Sequence, residues 1–79
     1  PVADVVVSRA FASLKDFVSL VANLCDSQTR IIAMKGREDQ VLNEQLELPK
    51  EFKLRSIEKV TIPNLDAERC VVFLSKQGD

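Results

Sequence analysis

Residues 4–8, Asp-Val-Val-Val-Ser, limit the possible folds of this chain more than any other segment. β-branched side chains favour extended backbone, and an apolar run without polar alternation is typical of a strand in a parallel sheet, covered on both faces. Parallel strands need a crossover connection, which is usually a helix. The run therefore predicts an α/β fold in which this strand is buried on both sides.

A capping-box pattern follows the first strand. Ser13 can accept a hydrogen bond from the third helical N–H, and Asp16 stands three residues later, where it can reach back. Apolar residues then recur at spacings of three and four, at Leu14, Phe17, Val18, Val21, Leu24 and Cys25. This periodicity predicts an amphipathic helix that packs its apolar face on the sheet.

A second strand and a second helix are predicted next. Residues 30–35 form a short apolar run that Gly36 ends. Residues 38–48 have a weaker helical pattern, with Val41, Leu42 and Leu46 inward and Pro49 beyond. Strand, helix, strand and helix in this order predict a parallel sheet with right-handed crossovers.

The last third of the chain predicts two long strands. Residues 52–62 alternate apolar and charged, but the phase slips near Ser56 and Ile57, which indicates a bulge. Residues 63–67 read as a turn, residues 70–74 as a buried strand, and residues 75–79 as a frayed end. A short turn can only pair its two strands antiparallel. The order is thus β-α-β-α-β-β with an antiparallel terminal hairpin, similar to the end of a class I (Rossmann-like) methyltransferase domain.

Composition limits the possible partners. The chain has 79 residues, at most one small domain, and its 46% hydrophobic and 29% charged residues are those of a globular protein. With 11 basic and 12 acidic residues the net charge is −1, so a nucleic-acid footprint can only be local. Every apolar run is far shorter than the roughly 20 residues that span a bilayer. We expect a cytosolic protein without a membrane partner.

The residue types of the chain give little support for a metal site or for a nucleophilic catalytic residue. The chain has two cysteines, Cys25 and Cys70, in unrelated apolar contexts, and no histidine. Zinc sites need three or four ligands, so we expect no metal and read both cysteines as buried small apolar residues. Ser8 has no histidine to serve as its base, which favours a structural hydroxyl.

Two segments lie where ligands bind in open α/β sheets, beyond the carboxyl ends of the strands. Arg9 follows the first strand, and Lys35, Gly36 and Arg37 end the second. The Arg9 guanidinium can bind a carboxylate or phosphate of a ligand, or it can pair at the surface with Asp16 or Glu38. The position of Arg9 alone favours neither of these two roles. Lys35 and Arg37 can meet RNA phosphate or be solvated loop charges, and Gly36 permits a close backbone approach.

A glycine-rich cofactor loop is missing from the sequence. The only glycines are Gly36 and Gly78, so the phosphate- or cofactor-binding turn of a Rossmann fold cannot be built from these residues. In a methyltransferase that turn would lie upstream of residue 1, together with the acidic residue that binds the ribose hydroxyls.

Three sequence blocks carry a specific likeness. They are Asp-Val-Val-Val-Ser-Arg-Ala-Phe-Ala-Ser-Leu at 4–14, Ala-Met-Lys-Gly at 33–36, and Val-Thr-Ile-Pro-Asn-Leu-Asp-Ala-Glu-Arg at 60–69. In this order and spacing the chain resembles the ribosomal RNA small-subunit methyltransferase G family, also called glucose-inhibited division protein B. The likeness covers essentially the whole chain. It implies that residues 1–79 are the C-terminal part of one Rossmann-like domain, without the N-terminal cofactor-binding half.

The resemblance also implies a function. The intact protein would transfer a methyl group from S-adenosyl-L-methionine to N7 of a guanine in 16S rRNA, acting on the RNA or on the small-subunit particle, and this chain alone would be inactive. Arg9 matches the family's cofactor-site arginine, whereas Lys35, Gly36 and Arg37 are candidates for the substrate side. Guanine N7 has a lone pair and no proton to remove, so no catalytic acid, base or metal is expected.

Two alternatives stay open at this point. The same fold could methylate a protein or a small molecule. A non-enzymatic α/β module could instead bind a partner through an exposed sheet edge, and such an edge could also pair with a second copy of the chain. The sequence does not fix the oligomeric state.

Overall fold

In a computed structural model the chain forms a four-stranded mixed sheet with two helices, in the predicted order β-α-β-α-β-β. The structure describes residues 2–9, 13–61 and 68–77. The strands are β1 (Val5–Arg9), β2 (Arg30–Lys35), β3 (Phe52–Thr61) and β4 (Glu68–Lys76). The helices are α1 (Leu14–Val21) and α2 (Glu38–Glu44), and each continues into a 3₁₀ turn, Ala22–Leu24 and Gln45–Glu47.

The strand order in the sheet is β1-β2-β4-β3. β1 and β2 are parallel, with Arg9 opposite Met34, and β4 runs antiparallel to both of its neighbours. The last strand is thus inserted between its two predecessors in the chain. The mixed sheet and its helices agree with the prediction of a fragment of a Rossmann-like methyltransferase fold.

The bulge predicted in β3 is present. The pairing register between β3 and β4 shifts between Leu54 and Ser56, so that Arg55 has no partner of its own in the ladder. The extra residue returns Leu54 and Ile57 to the same face of the sheet despite their odd spacing. The turn predicted at residues 63–67 lies outside the described residues.

The two ends of the first helical segment are stabilised by different parts of the chain. At the start, the Ser13 hydroxyl accepts a hydrogen bond from the Asp16 backbone N–H at 3.3 Å, as the capping pattern predicts. At the end, the Lys76 ammonium donates to the carbonyl oxygens of Ala22 (3.5 Å) and Cys25 (3.3 Å). The Ala22 carbonyl also accepts the Cys25 N–H at 3.2 Å, so the Lys76 cation adds a second donor at the negative end of this helical segment. β4 therefore helps to terminate α1.

One hydrophobic core lies between the helices and a single face of the sheet. Its buried members come from both helices, from three strands and from the residue after the first 3₁₀ turn: Leu14, Phe17, Val18, Cys25, Ile31, Ala33, Val41, Phe52, Val72 and Leu74. Both cysteines are buried, as predicted, and they are not joined in a disulfide. We call the sheet face under this core the helix face and the other the open face.

The open face contradicts the prediction that β1 is buried on both sides. Val5 and Val7 are 49% and 62% exposed there, while Val6 packs partly against the core. Continuous apolar character fits a strand covered twice, but within the described residues the helices cover only one face. Valine side chains on the open face therefore remain in water.

Two smaller predictions were also wrong. Leu42 and Leu46 were predicted inward, yet they are 44% and 80% exposed. Leu46 lies in the 3₁₀ turn after α2, whose three residues per turn instead of 3.6 change the direction of its side chain. Leu42 lies within α2, one position after the buried Val41, and is rotated away from the core. Ser75 and Lys76 were predicted to fray, but they belong to β4 and pair with Lys53 and Phe52 of β3.

The core predicts a sharp contrast within α1. Leu14 is fully buried, whereas Leu20 on the same helix is 80% exposed. We expect Leu14→Ala to lower the free energy of unfolding by about 2–5 kcal/mol, because it removes buried methyl groups and leaves a cavity. Leu20→Ala is the matched control and should change it by less than about 0.5 kcal/mol. Urea unfolding followed by circular dichroism measures both, and equal losses would contradict this core.

The environment of Cys25 predicts low thiol reactivity. Burial is the main cause that raises the pKa of this thiol above its ordinary value, and the positive charge of Lys76 partly opposes it. The thiol also donates a hydrogen bond to the Val21 carbonyl at 3.3 Å. A raised pKa lowers the thiolate fraction at any given pH. At pH 8, alkylation of Cys25 by iodoacetamide should be at least ~10-fold slower in the folded chain than in urea. Peptide mass spectrometry measures the alkylation of each cysteine separately. Equal alkylation rates of Cys25 in the folded chain and in urea would contradict the prediction.

Candidate functional site

The carboxyl ends of β1 and β2 meet at one end of the sheet, which is where ligands bind in α/β folds. Arg9 is opposite Met34, and Lys35 is opposite Cys70 of the antiparallel β4. β3 ends and β4 begins at the same place, with Thr61 opposite Glu68. We call this end of the sheet, including residues 35–37, the carboxyl edge.

Arg9 lies on the open face at the carboxyl edge. It alternates in phase with Val5 and Val7, and it is exposed. The carboxylate of Glu38, one of its two predicted partners, is instead 3.1 Å from Lys59 Nζ. Among residues 2–9, 13–61 and 68–77, Arg9 is in no ion pair. Its guanidinium is therefore available to an anion on this side of the sheet.

Lys35 lies on the opposite face. It shares the phase of Ile31 and Ala33, and its side chain is only 5% exposed. Lys35 Nζ is 2.9 Å from Glu44 Oε1 of α2. A charge that leaves water requires such a partner, because an unpaired ammonium in the core is strongly disfavoured. The carboxyl edge thus carries Arg9 and Lys35 on different faces and does not bring them into one cluster.

Glu44 is a residue of this site that the sequence reasoning missed. Besides pairing with Lys35, Glu44 Oε1 accepts the backbone N–H of Leu14 at 2.9 Å, the first residue of α1. The first N–H groups of a helix have no acceptor within the helix, so the carboxylate serves as a distant cap. The phase of Lys35 in β2 was a usable signal, since a lysine on the buried face predicts a carboxylate nearby.

Gly36 and Arg37 lie between β2 and α2. Gly36 is half-buried, and Arg37 occupies the position just before the helix without capping it. The Arg37 guanidinium contacts the Asp39 carboxylate twice, with Nε–Oδ1 and Nη2–Oδ2 distances of 3.1 Å. The two side chains are 71% and 67% exposed. Exposed pairs of this kind contribute little to stability, so Arg37 can exchange Asp39 for another anion at low cost.

Two further cations reach the carboxyl edge from the antiparallel strands. Arg69 is exposed at the beginning of β4, opposite Val60, and Lys59 is two residues from the end of β3. Local sequence patterns place neither of them, because their position depends on the reversal of β3 into β4. The cations of this edge lie among carboxylates, since Lys35, Arg37 and Lys59 are each paired with one, on Glu44, Asp39 and Glu38.

The described residues hold no group of three or more side chains suited to bind a metal ion. Among the helices of this same part of the chain, none has the length and apolar character needed to cross a bilayer.

Comparison with known proteins decides the family. The family profile described as rRNA small subunit methyltransferase G matches residues 1–72. The chain belongs to this family. The resemblance read from the three sequence blocks is thereby confirmed.

Individual relatives agree with the family profile. A protein named ribosomal RNA small subunit methyltransferase G from Idiomarina loihiensis is 42% identical over 75 residues, which is 95% of this chain and 35% of the relative. Proteins of the same name from Neisseria gonorrhoeae and Bordetella petrii are 45% and 39% identical over 75 residues. They are covered to 35% and 29% of their length. The chain thus spans about a third of the relatives that it matches.

Proposed function

We propose that residues 1–79 are the C-terminal part of a Rossmann-like methyltransferase domain. Intact, this domain transfers a methyl group from S-adenosyl-L-methionine to guanine N7 in 16S rRNA, in the cytoplasm. The observation that carries the proposal is family membership over residues 1–72, with relatives named for methylation of small-subunit ribosomal RNA. The substrate is the 16S rRNA or the small-subunit particle.

The open face supports the view that a larger domain surrounds this chain. Val5, Val7 and Met34 are each about half exposed there, and Phe73 and Ile32 lie beside them half-buried. Among the described residues β1 is the outermost strand, so one side of its backbone has no partner from this part of the chain. The missing part of the domain would cover this apolar face and extend the sheet beyond β1. It would also supply the glycine-rich turn that two glycines cannot build.

Arg9 fits the cofactor side of the site. S-adenosyl-L-methionine carries a carboxylate, and a planar guanidinium with two parallel N–H donors matches that group. Arg9 lies at the carboxyl edge, on the open face that the rest of the domain would adjoin, and is in no ion pair within the described residues. We assign it the role of binding and orienting the cofactor.

Arg37 and Gly36 fit the substrate side. Arg37 is an exposed cation with a weakly held partner, and the half-buried Gly36 allows close approach of a sugar–phosphate chain. Lys35 stays a candidate for this side, although its buried pair with Glu44 favours a structural task. Lys59 holds Glu38 in an exposed pair at the same edge, so a phosphate can take the place of that carboxylate at low cost.

The proposed reaction needs alignment more than proton transfer. The cofactor, when bound, supplies an electrophilic methyl group, and guanine N7 can attack with its free lone pair. The residues of this chain therefore have to hold the two partners in line and exclude other orientations. A site built from arginines, a glycine and backbone, without a general base, suffices for that task.

Methyl transfer by the intact protein tests the proposal. Radiolabelled S-adenosyl-L-methionine is incubated with the protein and with small-subunit RNA from cells that lack the enzyme. We expect label in the RNA as 7-methylguanosine. In a parallel arm, calorimetry should detect no micromolar cofactor binding to the 79-residue chain, because the glycine-rich turn is absent.

The other outcomes of this experiment separate the alternatives. Cofactor binding without labelled RNA would keep the fold and require a protein or small-molecule substrate. Neither binding nor label would favour a non-enzymatic module that uses the β1 edge. Micromolar cofactor binding to the 79-residue chain would contradict the assignment of the cofactor site to the missing part.

Arg9→Ala in the intact protein should weaken cofactor binding or lower kcat/KM by about tenfold or more, which corresponds to about 1.4 kcal/mol. Arg30→Ala is the matched control, because Arg30 is an exposed arginine at the opposite end of the same strand pair, beside Val5. Calorimetry and steady-state kinetics measure both. Equal values for the two variants would make Arg9 an ordinary surface residue.

A further inference from the structure

We propose that the open face is the docking surface of an acidic amphipathic helix from the rest of the intact domain. The inference rests on the proposed function, which makes this chain one part of a larger domain, and it gives the chemistry of the segment that covers the sheet. Apolar side chains of that helix pack on β1, β2 and β4, and carboxylates along one flank pair with Lys53 and Arg55 of β3.

The apolar part of the open face is a strip three strands wide. One row across it consists of Val7 on β1, Ile32 on β2 and Phe73 on β4, which are register partners in that order. Val7 is exposed, and Ile32 and Phe73 are half-buried. Neighbouring strands are about 4.8 Å apart, so the row spans roughly 10 Å, which is about the diameter of one α-helix with its side chains. One helix along the strip would cover it.

The strip ends at β3, where the open face becomes polar. The next residue in the same row is Ser56, the register partner of Phe73. The bulge adds Arg55 here, since Arg55 Nε donates to Ser75 Oγ at 2.6 Å. Ser75 lies on the open face as the register partner of Lys53, and both Lys53 and Arg55 are exposed. Two cations therefore border the apolar strip along one side.

Charge is divided between the two sides of the sheet. The helical segments on the core side are acidic, with Lys15 as their one basic residue among Asp16, Glu38, Asp39, Glu44 and Glu47. The described strand positions on the open face are basic, with Glu58 as their one acid among Arg9, Arg30, Lys53, Arg55 and Arg69. Within residues 2–9, 13–61 and 68–77, neither Lys53 nor Arg55 is in an ion pair. An acidic partner on the open face complements this distribution.

Burial of the strip requires carboxylates on the β3 flank. A helix that covers Phe73 removes water from one side of the neighbouring cations, and a charge that loses water without gaining a partner is disfavoured. A nucleic acid offers phosphates to Lys53 and Arg55, but its charged and hydrated backbone does not cover Val7 and Ile32. A helix that carries both apolar side chains and carboxylates satisfies both parts of this surface.

Zero-length cross-linking of the intact protein tests the contact directly. A water-soluble carbodiimide joins a lysine amine to a touching carboxylate as an amide, taking up the water that is lost, and peptide mass spectrometry identifies the pair. We expect Lys53 to be joined to an Asp or Glu that precedes this chain in the intact protein. Lys15, exposed on α1 at the core side, is the matched control and should form no link to that segment.

Charge reversal in the intact protein measures the effect of the contact on stability. Lys53→Glu combined with Arg55→Glu should lower the midpoint of thermal unfolding by about 2–4 °C, because two attractive pairs become repulsive. About 1 M NaCl should reduce this loss, since salt screens charges near a surface. Lys15→Glu is the control and should lower the midpoint by less than about 1 °C.

The remaining outcomes separate this inference from its alternatives and from the proposed function. An unchanged midpoint, with RNA binding that is weaker and less dependent on salt in the reversed protein, would overturn it and assign Lys53 and Arg55 to phosphate. Links between differently isotope-labelled molecules would overturn it in favour of a second copy. No Lys53 link and no change in midpoint would leave this flank in water and overturn it as well. The expected link in a protein that transfers no methyl group would retain the acidic helix and overturn only the proposed reaction.

Discussion

The insertion of β4 between β2 and β3 determines the layout of the carboxyl edge. Because β4 is antiparallel to both neighbours, its first residues lie beside the carboxyl end of β2, and Arg69 arrives there with Val60 as its partner. The same strand carries Val72 and Leu74 into the core, and its last residue, Lys76, closes the end of the first helical segment. One strand thereby connects the site, the core and the helix terminus.

Sequence patterns alone predicted the correct structure where a feature depends only on residues close to it in sequence. The Ser13 cap, the bounds of β2 and the bulge before Ser56 all follow from spacing, since these features depend on neighbours in sequence. Leu46 failed because a 3₁₀ turn replaced the helix on which its predicted direction depended. Glu44 was missed because its partner Leu14 is 30 residues away in sequence and its partner Lys35 lies on another element, β2, so neither contact follows from the pattern within α2.

The mismatch at β1 has a different origin. Residues 4–8 have the apolar character of a strand that is covered on both faces. The described part of the chain covers only one face of this strand and leaves Val7 62% exposed on the other. An exposed apolar face beside an unpaired strand edge favours association. This exposure supports our proposal that the chain is part of a larger domain, with which any pairing of isolated copies through β1 would compete.

Lys35 and Arg37, the two cations beside Gly36, differ in how easily they can give up their carboxylate partners. Arg37 and Asp39 stay largely in water, so replacing the carboxylate by a phosphate exchanges one solvated contact for another. Lys35 and Glu44 are buried, so giving up this contact to bind a phosphate is much less favourable than exchanging a partner in an exposed pair. A polyanion that approaches this turn therefore meets Arg37 as the adaptable group. Lys35 keeps its carboxylate and with it the position of the turn.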